Sequence, residues 1–294
     1  MYRLVIIITL FICAVRTDAV RAQTKNQEAA VFAYNVGFGA ITSGIGAMIN
    51  KPKGMKWHNA FSRGLWQGSI GGVLNYASKK TLHLVYRNQN TWYALPATII
   101  NAAGFSIMES AALNKPFLRN WSIDYVFFRF DFSTKSIEDL KIRILPQALY
   151  ATIDISRYGR PNIETSLLTG SPTFVTDASI SSNGFTFDGL SSGRAFVYGN
   201  TDPIRNKYHI IAHEMIHYFQ YREHQMMNTW LMPVSHLIKS KTIKSIFSNY
   251  VFMDVPYFYI SYAIEGQKPF PHYYRNFYEF EAERISTNKY VEVK

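Results

Sequence analysis

The sequence has a single cysteine in 294 residues, Cys13. It falls in the apolar stretch at the N-terminus, so the rest of the chain can build no disulfide, no thiolate metal site and no cysteine nucleophile. Acidic residues are also scarce, with 20 Asp and Glu against 31 Lys and Arg and a formal net charge of +11. That basic balance is scattered: there is no block of five like charges, no arginine-rich arm and no zinc-finger spacing. Nucleic-acid binding therefore has no motif behind it. No internal repeat or low-complexity tract stands out. What is abundant is apolar and aromatic, 48% and 16% of residues with 21 Phe and 20 Tyr, which excludes wholesale disorder and suffices for a sizeable core.

Residues 1–22 combine a cationic start at Arg3, an apolar core from Leu4 to Val15 and a small-residue exit ending at Ala22. This is the pattern of a secretory signal peptide cleaved before Gln23. Its apolar core, about 12 residues, is short of the roughly 20 that span a bilayer as a helix. The expected location is therefore exported, periplasmic or extracellular. A basic surface there suits contact with lipid head groups or an anionic envelope polymer.

Residues 23–118 are expected to form a Gly/Ala-rich helical region. Ala29 to Asn50 carries no charge, and Gly64, Gly68 and Gly72 stand four apart, on one helix face. A third small-residue run, ALPATIINAAGFSIMESAA, follows. Such helices can pack closely on one another in water or in lipid. Lysines 51, 53, 56, 79 and 80 and Arg63 crowd the intervening segments and helices, which favours the soluble bundle. Between Trp121 and Tyr198 the texture turns to aromatic and β-branched stretches broken by Gly, Pro, Asn and Ser, which reads as a β-rich section. From Tyr208 the pattern is helical again.

The chemistry lies in His213-Glu214-Met215-Ile216-His217, an H-E-x-x-H motif in a run free of Gly and Pro. On a helix the two histidines are about 6 Å apart along the axis and 40° apart around it, so both rings can reach one ion. Glu214, rotated by about 100° from His213, falls beside that ion, where a carboxylate can hold and deprotonate water. A catalytic zinc needs a third protein ligand and one open position. The metzincin continuation fails, because Gln220 and Glu223 stand where a Gly and a His belong. Further on, Glu279-Phe280-Glu281-Ala282-Glu283 supplies acids.

H-E-x-x-H followed downstream by E-x-x-x-D/E resembles the gluzincin metallopeptidases, a group that includes the thermolysin-like enzymes and the CaaX-type proteases. The resemblance covers about residues 184–286. It implies that Glu279 is the third zinc ligand and that Glu283 orients a ligating histidine. It further implies that Ala282 lets the two helices approach. Gln220 matches the H-E-x-x-H-x-x-Q form of some small gluzincins. Glu281, on the far side of the helix from Glu279, is the alternative ligand. Zincins also pair extended substrates with an edge strand, expected here at Arg194–Tyr198, with an ordinary internal strand as the alternative. His209 and His224 read as surface or hydrogen-bonding residues, and His272, Tyr273, Tyr274 and Tyr278 as oxyanion donors or mere aromatic packing.

The expectation is thus an α+β protein: a signal peptide, a small-residue helical layer, and a zincin-like β-then-α half over residues 119–294. Its expected function is hydrolysis of peptide bonds in a peptide or protein substrate, with Zn²⁺ on His213, His217 and Glu279 and with Glu214 as base. The rivals are a non-catalytic envelope protein with a structural zinc clip and a membrane-embedded protease.

Overall fold

The computed structural model describes residues 27–182, 185–200, 207–235, 239–253, 255–266 and 273–292; the expected signal peptide and His272 lie outside them. Three helices come first: α1 (Gln27–Ile49), α2 (Trp57–Arg87) and α3 (Ala94–Ala112). Their small residues bring the backbones together. A Cβ on Gly64 would stand 2.6 Å from the Ser43 carbonyl oxygen, and one on Gly39 would stand 2.6 Å from that of Gly68. Gly71 and Gly104 make the same close approach between α2 and α3. One described helix, α1, is long and apolar enough to cross a membrane. Its inward face nevertheless carries Asn35, Thr42 and Ser43, all buried against the other helices.

Strands β1 (Asn120–Tyr125), β2 (Phe128–Ser133) and β3 (Ser136–Ile144) follow as an antiparallel meander. The section expected to be β-rich then yields two helices, α4 (Pro146–Ser156) and α5 (Ile163–Thr169), flanking the short β4 (Arg160–Pro161). Local chemistry explains both. Pro146 occupies the first turn of α4, where its missing N–H costs nothing. Asn162 caps α5 by accepting from the Thr165 N–H, and Gly170 ends it with φ +71°.

The second sheet has the order β4-β5-β9-β8, with β5 (Thr173–Thr176) parallel to β9 (Phe196–Gly199) and β8 (Gly189–Ser191) antiparallel to β9. Between them lies a hairpin, β6 (Ile180–Ser182) and β7 (Phe185–Phe187). Of the two readings of Arg194–Tyr198, edge strand or ordinary internal strand, the internal one holds: β9 is enclosed between β5 and β8, its hydrogen bonds already used. Among the described residues the edges of this sheet are β4 and β8, and β8 is the one that lies against the motif helix.

The motif helix α6 (Lys207–His224) runs across β8 and β9 and continues as a 3₁₀ segment, Gln225–Leu231, and a short α7 (Met232–Ser235). Then come α8 (Lys241–Asn249), α9 (Tyr257–Glu265) and α10 (Phe277–Thr287). The main core joins α6 and α10 to the helical layer and to β9 through Met215, Phe219, Phe196, Phe280, Leu82 and Val85. A buried ionic knot links the sheets to α6: Asp124 of β1 accepts from Arg194 at 3.0 Å, with Arg129 and Arg222 each at 3.8 Å. Burial alone would raise the Asp124 carboxyl, but these three guanidinium groups hold it down at about 2.

The close packing of α1 on α2 has a direct test. Gly68→Ala places a Cβ against the Gly39 carbonyl and Ser43, whereas Gly37→Ala in the same layer meets nothing within 4 Å. Urea unfolding is expected to show Gly68→Ala losing about 1–3 kcal/mol and Gly37→Ala gaining about 0.5–1 kcal/mol.

Candidate metal centre

The four-residue spacing on α6 stacks His213 and His217 with their Nε2 atoms 3.2 Å apart. From α10, Glu279 brings Oε2 to 3.3 Å from each. Three donor atoms thus form a nearly equilateral triangle. A tetrahedral ion bound at about 2.0–2.1 Å holds its ligands about 3.3 Å apart. The donor set fits such an ion, with one corner left for a fourth ligand. Asn276 positions Glu279 by capping α10 through the Tyr278 N–H, and the fully buried Ala282 lets α10 lie against α6.

Each ring is oriented from behind. Gln220 donates its amide to the Tyr278 carbonyl at 3.0 Å and to Glu281 Oε2 at 2.8 Å, which fixes its Oε1 toward His217. His217 Nδ1 must then donate to that oxygen, at 2.8 Å, leaving the Nε2 lone pair facing the triangle. On the other ring, Glu283 Oε2 lies 3.6 Å from His213 Nδ1 and 3.4 Å from His209 Nε2. Glu283 therefore stands beside the free nitrogen of a candidate ligand, and His209 braces the carboxylate. These three residues also form a second possible ligand group, sharing His213.

The alternative ligand Glu281 points away from the triangle. It takes two hydrogen bonds from Lys79 Nζ, at 2.9 and 3.0 Å, and Lys79 also donates to Glu223 and Asn35. Lys79, one of the basic residues that favoured a soluble bundle, is fully buried. Burial works against its charge, but the two carboxylates outweigh it and raise its pKa. Glu223 pays for the crowding: burial, with the like charge of Glu281, pushes its carboxyl up to about 7 against the pull of Lys79.

At the triangle itself, burial opposes charging His213, but hydrogen bonds to Glu279 and Glu283 push it up to about 10. Burial would raise Glu279, yet the two histidines hold it well below the usual carboxylate range. Glu214 sits behind Gly189 of β8, where a Cβ would collide with its carboxylate. Burial raises its pKa, opposed by His213 and His217. The sequence offered no sign of Tyr262 on α9, whose hydroxyl donates to Glu279 Oε1 at 2.7 Å. Tyr273 is held protonated by burial and by the charge of Glu279. Tyr278 faces elsewhere, donating to His224 Nε2 at 3.0 Å.

Comparison with protein-family models, with characterised proteins and with solved structures gives no match.

Two measurements follow from this geometry. Glu279→Ala should abolish stoichiometric zinc uptake, while Gln220→Leu should weaken zinc binding about 10–100-fold, read by competition with a chromophoric chelator. Separately, His224 is buried among Phe38, Phe258 and Tyr278, and burial lowers its pKa to about 4. Its neutral form thus contributes stability that is present above the unfolded value of about 6.5 and lost as pH falls toward about 4. Urea unfolding should show stability dropping between pH 6.5 and pH 5, with a smaller drop in His224→Gln.

Proposed function

We propose that the chain is an exported zinc-dependent peptidase of the gluzincin kind, with a zincin-like catalytic half. The single observation that carries this reading is the triangle of His213, His217 and Glu279, drawn from two helices and sized for a tetrahedral ion. His213, His217 and Glu279 hold the zinc. Bound there, zinc supplies Lewis-acid polarisation of water and of the scissile carbonyl.

The remaining work falls to the chain's own residues. Glu214, buried beside the triangle and raised in pKa, takes a proton from water and delivers it to the leaving amine. Its position behind β8 supports a substrate strand running along Gly189–Ser191, within reach of the same carboxylate. Tyr262 holds Glu279 in place through its hydrogen bond, and Gln220 fixes the tautomer of His217.

Glu214→Gln separates catalysis from a structural clip. The variant should bind zinc as the parent does and lose about 10²–10⁴-fold or more in the rate of cleavage of an unstructured protein such as casein. Equal cleavage by both proteins, or none by the parent with zinc bound, contradicts the proposal.

A further inference from the structure

Helix α8 begins at Ser240, whose side chain accepts from the Ile243 N–H, and runs for only nine residues. None of them is buried. An isolated helix of this length is marginal in water, so its stability must come from something that covers a face. The face is well defined. Ile243, Ile246, Phe247 and Tyr250 follow the i, i+3, i+4, i+7 spacing and form one stripe, with exposures of 46, 42, 40 and 64%. Lys241, Lys244 and Ser248 project from the opposite side, and Lys239 precedes the helix, all exposed. From Lys239 to Met253 there is no Asp or Glu.

The C-terminal end of α8 is fastened to the meander. The Ile144 N–H donates to the Tyr250 carbonyl at 2.8 Å, and the Phe252 N–H donates to the Ile144 carbonyl at 2.9 Å. On β3 beside it, Leu140 and Ile142 are half exposed. Lys141, on the opposite face of the strand from Ile142, reaches Asn249 Oδ1 with its amine at 3.5 Å and places a fourth cation beside the helix. An apolar stripe edged with lysines thus runs along the helix.

We propose that this face docks on an anionic lipid bilayer, with α8 lying in the membrane plane, its stripe among the acyl chains and its lysines against the lipid phosphates. Charge and size favour lipid over a protein groove. Four side chains on a two-turn helix cover far less than the roughly 800 Å² per partner that a stable protein interface buries. A lipid surface needs only an amphipathic helix with cations at its border. The proposal is independent of the hydrolase reading, because α8 contributes no residue to the metal centre.

The test is co-sedimentation of the full chain with vesicles of phosphatidylcholine alone or mixed with phosphatidylglycerol. The parent should partition onto the mixed vesicles and be released by high salt. Each lysine near an anionic surface is worth about fivefold in partitioning. Lys239→Gln/Lys241→Gln/Lys244→Gln should therefore bind about a hundredfold more weakly. Ile246→Ser/Phe247→Ser should also lose binding, and because these side chains are exposed neither variant should shift the thermal midpoint. Comparing variants of one chain cancels any binding by other segments. Equal partitioning of parent and variants overturns the proposal. So does a lipid-free dimer that Ile246→Ser/Phe247→Ser splits, since the stripe would then be covered by a second copy.

Discussion

Lys79 carries a positive charge into the interior and meets two carboxylates there, Glu223 from α6 and Glu281 from α10, each at 2.9 Å. A buried charge is tolerated only when paired and hydrogen-bonded, and losing one partner costs on the order of 3–5 kcal/mol. This contact therefore fixes where three helices lie. It depends in turn on the glycines of α2, which let α1 approach closely enough for Asn35 to join the cluster. From Glu281 the constraint passes to Gln220, and from Gln220 to the ring of His217. A small-residue helix layer that shares no motif with the histidines thus orients one of them.

The other half of the centre is braced by separate means. Glu283 and His209 flank His213, Tyr262 holds the second oxygen of Glu279, and Gly189 admits the Glu214 carboxylate against β8. All the candidate ligands sit on helices in the interior rather than on loops. Geometry of this kind is held to fractions of an ångström by packing, which a site that must present three donors to one ion requires.

How much of this was legible follows from the range of each signal. The pairing of His213 with His217 is set by helical pitch, so four residues of sequence suffice to read it. Glu279 was readable through its spacing from Ala282 and Glu283 in the resemblance to gluzincins, and the structure brings it to the paired rings. Lys79 was not readable, because a lysine in a chain of lysines looks solvated until two carboxylates from distant helices are folded onto it. Tyr262 is likewise one tyrosine among 20. Strand order was also hidden: β9 is internal only because distant β5 pairs with it in parallel on one side and β8 antiparallel on the other. The helices α4 and α5 were masked by apolar and β-branched composition, although Pro146 and Asn162 were the local signals of their starts.

The proposed chemistry requires that one ion sit among the three donors. Diffraction from zinc-loaded crystals, recorded above and below the zinc absorption edge, should place a single anomalous peak about 2.0–2.2 Å from His213 Nε2, His217 Nε2 and a Glu279 carboxylate oxygen. A peak on His209 and Glu283 without Glu279, or no ordered zinc near α6, would contradict it.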